Sequence, residues 1–172
     1  MAAHLPQHGR LLAALDPLGD RVDAERARQL DDRRHDRAIL AAQHELHPDL
    51  VVLTGLRQGA EEVGARAASA ADVPYVAVLP YPDPVAGRPE VAQAAFQRLL
   101  DGAVRVVTLE QHRPGDGDGK RASLQRRDGW LRKVADAAIV VTDGEDPDAE
   151  LAVKRYGDAV GDELWEYRTV EL

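Results

Sequence analysis

The residues best suited to chemistry lie in the stretch TGLRQGAEE, positions 54–62, where two glycines and an arginine separate an apolar run from an alanine-rich segment. Glycine permits positive φ angles and lets a ligand approach the backbone closely. A helix beginning near Ala60 would present free N–H groups and its positive dipole end to this loop, a geometry that binds phosphate. Arg57 could add a bidentate contact and Thr54 a hydroxyl. The stretch indicates either a phosphate-binding loop, with the anion held by the four backbone N–H groups of residues 57–60, or a tight corner with Arg57 in solvent.

A second candidate is an acidic cluster at positions 143–150, DGEDPDAE. Its carboxylates could cap a helix, hold a divalent ion or accept hydrogen bonds from ribose hydroxyls, and capping is the expected role for most of them. An acid or nucleophile, if the protein has one, would be Asp143 or Glu150. The histidines and carboxylates show no convincing metal-ligand spacing, so we predict no metal site and no required cofactor.

A third candidate is the long polar stretch that follows the third predicted strand, QHRPGDGDGKRASLQRR at positions 111–127. Loops of such length inside a domain are usually functional or disordered. The segment indicates either a basic lid over an anionic ligand or a solvated loop, and we predict that residues 111–122 are the most mobile interior segment. Its basic residues are Arg113, Lys120, Arg121, Arg126 and Arg127.

These candidates need a scaffold, and the apolar pattern predicts one. Short apolar runs alternate with helical segments of about a dozen residues, which is typical of a parallel sheet covered by helices on both faces. Ligands of such sheets bind at the carboxyl ends of the strands. The predicted strands are 50–54, 75–79, 104–109, 137–142 and 164–170, and the predicted helices are 22–47, 60–71, 89–100, 123–135 and 147–160, with a possible break at Gly129.

The first 20 residues lack a sustained period and contain two prolines and two glycines. We predict an irregular arm over residues 1–20, with at most one short element at Arg10 to Leu15, followed by a single domain over 21–172. The apolar patch in this arm is too short for a signal peptide and is broken by Asp16 and Pro17.

The composition and net charge of the chain argue against several classes of function. A net charge of −8 with 4% aromatic residues argues against non-specific nucleic-acid binding, which depends on basic side chains and base stacking. The chain has no cysteine, which excludes disulfides, and no apolar run long enough to span a bilayer. We therefore expect a cytoplasmic protein with neither a membrane nor a nucleic acid as its partner.

Three segments, in this order and spacing, resemble the SLOG superfamily, which includes the DprA/Smf DNA-processing proteins and the LOG phosphoribohydrolases. They are LVVLTGLRQGAEEVGARAA at 50–68, VPYVAVLPYPDP at 73–84 and RRDGWLRKVADAAIVVTDG at 126–144. They are most similar to the YpsA-like branch. The resemblance implies a Rossmann-like fold, a nucleotide-derived ligand such as an ADP-ribose-like compound or a nucleoside phosphate, and a homodimer.

The chain also departs from the family pattern. The family loop has its arginine directly before the second glycine, where this chain has Gln58, and the later loop has EDPDAE in place of glycines and a threonine. We therefore rank ligand binding first, followed by a degenerate scaffold, cleavage of an N-glycosidic bond, and DNA processing.

The predicted binding residues are Thr54, Gly55, Leu56, Arg57, Gln58, Gly59, Ala60, Pro80, Arg127, Trp130, Asp143, Gly144 and Glu150.

Overall fold

The computed structural model describes residues 11–15, 33–115, 117–142 and 147–168 of the 172-residue chain. Strands and helices alternate along these residues, as the apolar pattern predicts. The strands are β1 (Leu11–Leu15), β2 (Val51–Thr54), β3 (Tyr75–Leu79), β4 (Arg105–Thr108), β5 (Ala137–Thr142) and β6 (Leu164–Arg168). The helices are α1 (Arg33–Leu46), α2 (Ala60–Ala70), α3 (Glu90–Gly102), α4 (Asp118–Val134) and α5 (Pro147–Val160), and a 3₁₀ turn covers Gly161–Glu163.

The six strands form one parallel sheet in the order β4-β3-β2-β1-β5-β6. The chain moves outward from β1 to β4 and then returns to the other side of β1, which places the topological switch point between β1 and β5. This arrangement confirms the predicted Rossmann-like, doubly wound fold. The β2–α2 loop, the first candidate, leaves the sheet one strand away from the switch point.

Two apolar layers hold the helices on the sheet, because alternate strand residues point to opposite faces. On one face, Leu12, Val52 and Ala77 pack in a cluster with residues of α1, α2 and α3, among them Leu40 and Phe96. On the other face, strand residues pack with Leu131 of α4 and Tyr156 of α5, together with Ala13, Leu53, Val78, Val107 and Val140. Within the described part of the chain, no helix is long and apolar enough to cross a membrane.

Strand β1 corrects the prediction of an irregular arm. Leu11–Leu15 lies in the interior of the sheet, paired with β2 on one side and β5 on the other, and it belongs to the same sheet as the rest of the chain. The run LLAAL has no polar position because both of its neighbours and both of its faces are covered. Five apolar residues are too few to show a period, so the pattern alone left this element undecided. Residues 1–10 and 16–32 lie outside the described part.

Helix α4 corrects the predicted extent of the basic loop. It begins at Asp118 and continues without a break through Gly129 to Val134, so four of the five basic residues of the predicted lid lie on a helix. The predicted helix began only at Ser123, because the two glycines of DGDG are poor helix residues. Of the proposed lid, the described residues 111–115 and 117 lie outside the helix, and Arg113 Nη2 donates to Ala86 O at 3.3 Å. The mobility of this segment stays a prediction.

Candidate functional site

The β2–α2 loop is fastened to the first turn of α2 by Thr54. The Thr54 hydroxyl donates to Glu61 O at 2.8 Å and accepts from Leu56 N at 3.2 Å. Two residues of the loop have positive φ angles, Leu56 at 57° and Gly59 at 106°. A buried leucine in this region is strained, and the surrounding structure must hold it there. The Thr54 hydrogen bonds thus help to hold the loop in this strained conformation.

Glu61 folds back onto the loop that was predicted to bind an anion. Its Oε2 accepts the Arg57 backbone N–H at 3.2 Å, and its Oε1 lies 3.4 Å from Arg57 Nε. The carboxylate is fully buried. The Arg57 amide, which was predicted as one of the anion donors, is thus already used by the protein's own charge.

Arg127 of α4 reaches the same carboxylate from the opposite face of the sheet. Its Nη1 and Nη2 donate to the two oxygens of Glu61 at 3.2 and 2.9 Å, while Nε and Nη2 donate to Asp128 Oδ1 at 3.0 and 2.7 Å. The side chain is fully buried. Burial alone would lower the pKa of Arg127, but the adjacent carboxylates of Glu61 and Asp128 outweigh it and raise the pKa above its ordinary value. The predicted ligand-binding arginine therefore makes internal contacts.

This ion pair explains the first glycine of the loop. A Cβ atom at Gly55 would lie 2.0 Å from Arg127 Nη1 and 2.4 Å from Glu61 Oε2, so the ion pair would have to shift to admit it. The sequence suggested that Gly55 allows a phosphate to approach the backbone. In the structure the close approach is made by the guanidinium and the carboxylate.

Together these groups form a chain of alternating charges, which we call the ion chain: Arg57, Glu61, Arg127 and Asp128. The two inner side chains are 1% exposed, whereas the outer two, Arg57 and Asp128, are 26% and 34% exposed. The chain links the β2–α2 loop with α4. Its formal charges cancel, so the carboxylate of Glu61 does not leave the loop with a net negative charge.

Three successive backbone amides of the loop remain available as hydrogen-bond donors. In the described residues, the N–H groups of Gln58, Gly59 and Ala60 donate to no acceptor, whereas those of Leu56 and Arg57 do. Gln58 is exposed, and Gly59 precedes the first residue of α2 without a side-chain cap. These donors lie at the positive end of α2.

The remaining predicted residues lie in different places. Pro80 is buried at the end of β3, and its carbonyl accepts Glu110 N at 3.1 Å. Trp130 packs against the core on the α4–α5 face. Glu150 is exposed in the first turn of α5, and Asp143 and Gly144 lie outside the described residues. The structure thus brings Arg127 together with Thr54–Ala60 and does not bring Trp130 or Glu150 there.

Sequence reasoning missed a polar cluster at the carboxyl end of β4. Arg126 Nη2 and Nε donate to Glu110 Oε1 at 2.6 and 2.9 Å, and the buried Ser123 hydroxyl lies 3.0 Å from Glu110 Oε2. The hydrogen bonds from Arg126 and then Ser123 lower the pKa of Glu110 below its ordinary value, against a smaller opposing effect of burial. The cluster ties α4 to the end of β4.

Comparison with known proteins gives a structural likeness alone. No family model matches the chain, and no curated protein matches it significantly. Among solved structures, DNA processing protein A (DprA) from Streptococcus pneumoniae matches 95% of this chain with a TM-score of 0.62 and 12% identity. The fold is similar to that of DprA. The chain spans about half of that protein, 52% of its length, and at this identity the likeness shows the fold only.

Proposed function

We propose that the protein binds a nucleotide or nucleotide-derived ligand, with a phosphate of the ligand at the β2–α2 loop. One observation carries the proposal: the amides of Gln58, Gly59 and Ala60 begin a helix at the carboxyl edge of the sheet and have no acceptor among the described residues. Such amides and the helix dipole favour a phosphate. The partly exposed Arg57 adds positive charge beside them.

The ion chain supports this proposal, and it also reduces the number of loop amides that can bind a phosphate. Arg127 and Arg57 compensate the charge of Glu61, which would otherwise repel a phosphate at the start of α2. Because Glu61 already accepts the Arg57 amide, the proposed site uses three backbone donors where the sequence suggested four. The Rossmann-like fold and the resemblance to the YpsA-like branch of the SLOG superfamily agree with a ligand of this class. The homodimer and the cytoplasmic location remain predictions.

The test exploits the exposed side chain of Gln58. Gln58→Asp places a carboxylate beside the three amides, whereas Gln58→Ala removes the side chain and keeps every backbone donor. Isothermal titration against ADP-ribose, AMP and NAD should give binding in wild type and Gln58→Ala. Binding to Gln58→Asp should be weaker by about tenfold or more, the effect of about 1.4 kcal/mol or more of charge repulsion. Absence of heat across the panel in wild type would end the proposal.

DNA processing is a second candidate because the fold resembles that of DprA, whose name describes it as a DNA processing protein. The net charge of −8 opposes it. Fluorescence anisotropy with a labelled single-stranded oligonucleotide separates the two candidates. We expect no binding at physiological salt. Tight binding there, together with no nucleotide binding, would favour the DNA candidate.

Cleavage of an N-glycosidic bond is the enzymatic alternative, and it would use Glu150 or Asp143. The AMP titration mixture can be analysed for free adenine by chromatography after prolonged incubation. We expect none, because Glu150 is exposed on α5 and makes no contact with the loop among the described residues. Release of adenine that Glu150→Gln abolishes would identify the protein as a hydrolase of nucleoside phosphates.

A further inference from the structure

A groove of about 410 Å³ lies between α4 and α5, away from the β2–α2 loop, and is lined by Gln125, Asp128, Arg132 and Arg155. The three α4 residues are spaced i, i+3 and i+7, so they share one face of the helix. Arg155 faces them from α5. The groove thus has two helices as walls and polar side chains on both.

Arg132 and Arg155, the two arginines that line the groove, form no ion pair among the described residues. Within the described residues, neither Arg132 nor Arg155 lies within 4.0 Å of a carboxylate oxygen. The Arg132 guanidinium lies 5.8 Å from the ring centroid of Tyr156, which is buried between the helices. A cation over an aromatic ring keeps its charge and loses conformational freedom. Arg132 is therefore held in place while its N–H donors stay open to an anion.

The single acidic side chain that lines the groove is already neutralised. Asp128 Oδ1 accepts Arg127 Nη2 at 2.7 Å and Nε at 3.0 Å, as the outer member of the ion chain. The charge that faces the groove is consequently that of Arg132 and Arg155. This local positive region attracts anions even though the chain as a whole has a net charge of −8.

From these observations we infer a second binding site, in the α4–α5 groove, for a small phosphorylated anion. Arg132 and Arg155 would hold the phosphoryl oxygens, since the planar guanidinium donates two parallel hydrogen bonds to such groups. Gln125 offers an amide donor on the same helix face. The volume exceeds that of one phosphate, so a diphosphate fits the groove as a probe. The site does not depend on ligand binding at the β2–α2 loop.

Inorganic pyrophosphate is the probe, titrated calorimetrically at low ionic strength. Arg132→Gln/Arg155→Gln removes two positive charges from the groove, and Arg121→Gln/Lys133→Gln removes two from exposed positions of the same helix. We expect the groove variant to bind about tenfold to a hundredfold more weakly than wild type, as for the loss of charged hydrogen bonds. The control variant should bind within about twofold of wild type, since exposed charges are screened.

Amide chemical shifts locate the bound pyrophosphate. We expect changes at residues 125–132 and 155, and the same changes in Gln58→Asp, which alters only the loop. Arg155→Gln alone serves if the double variant does not fold, because the Arg155 side chain is exposed. Equal weakening in the groove and control variants, shifts confined to residues 57–60, or no binding at millimolar pyrophosphate would each overturn the proposal.

Discussion

Loss of the buried Arg127 side chain should destabilise the fold strongly. Arg127→Met leaves the buried Glu61 without its bidentate partner, and breaking a buried ion pair from one side costs about 3–5 kcal/mol. Urea unfolding measures the change. Arg126→Met is the control, because its ion pair with Glu110 is 59% exposed on the arginine side and such pairs contribute about 1 kcal/mol or less. Equal losses in the two variants would contradict the central role of the ion chain.

Gly55 provides a second residue-scale test. Gly55→Ala inserts a Cβ between Arg127 and Glu61, and we expect a loss of about 1–3 kcal/mol as in other overpacked sites. Gly129→Ala is the matched control: it lies inside α4, where the nearest atom to a new Cβ is Arg132 Nη2 at 3.7 Å. Alanine there should stabilise the helix by about 1 kcal/mol. Thermal unfolding of both variants should therefore move in opposite directions.

Glu110 predicts a pH dependence of stability. Its folded pKa is lowered by Arg126 and Ser123, so the carboxylate stabilises the fold above its ordinary pKa of 4.5 and this contribution is lost as the pH falls through the folded value. Glu110→Gln should be less stable than wild type near neutral pH, and the difference should vanish in acid. Urea midpoints across the pH range test this. Arg126→Gln should give the same trend, and a difference that is constant with pH would count against it.

At the residue scale, the sequence singled out the β2–α2 loop, but it did not predict the internal contacts that Arg57 and Arg127 make there. Thr54–Ala60 was identified because glycine and strand ends leave local signals. The Arg127–Glu61 pair was missed because the two residues are 66 positions apart and nothing in one sequence couples them. A separate constraint applies at Gly59, which has φ 106° and ψ −142°, a region almost restricted to glycine. Gly59→Val would therefore strain the fold as well as block a ligand.

At the scale of elements, the central position of β1 in the sheet can be tested by mutation. Leu12 is 1% exposed and packs in the core shared with α1, α2 and α3. Leu12→Ala should lose about 2–5 kcal/mol, whereas an irregular arm would tolerate it. Val106→Ala in the edge strand β4, where the residue is 43% exposed, should lose about 1 kcal/mol or less. Urea unfolding of the two variants decides between a central strand and an arm.

The elements show why some predictions succeed and others fail. Tyr75–Leu79 and Ala137–Thr142 match their predicted bounds because continuous apolar runs flanked by polar or proline residues specify buried strands. Helix α4 starts five residues earlier than the predicted Ser123 because tertiary contacts at Ser123 and Arg126 outweigh the low helix propensity of glycine. Packing partners distant in sequence decide such cases.

For the whole molecule we expect a homodimer, as the resemblance to the SLOG superfamily implies. Static light scattering at micromolar concentration should give twice the 18.7 kDa mass of one chain. A dilution series serves as the control, since a specific dimer keeps its mass until the concentration nears its dissociation constant. A mass of one chain throughout would show that the prediction is wrong.

The position of β1 also governs the order in which the sheet can assemble. One partner of β1, strand β2, follows early in the chain, whereas the other partner, β5, is distant in sequence. The hydrogen bond from Leu11 N to Asp136 Oδ2, just before β5, joins residues 125 positions apart. Strands β1 to β4 can therefore pair with one another before β5 has paired with the other edge of β1. Until then an apolar strand edge is open to pairing with another chain. Refolding yield should thus fall with protein concentration, and the docking of β5 should set the slow phase because distant contacts form late.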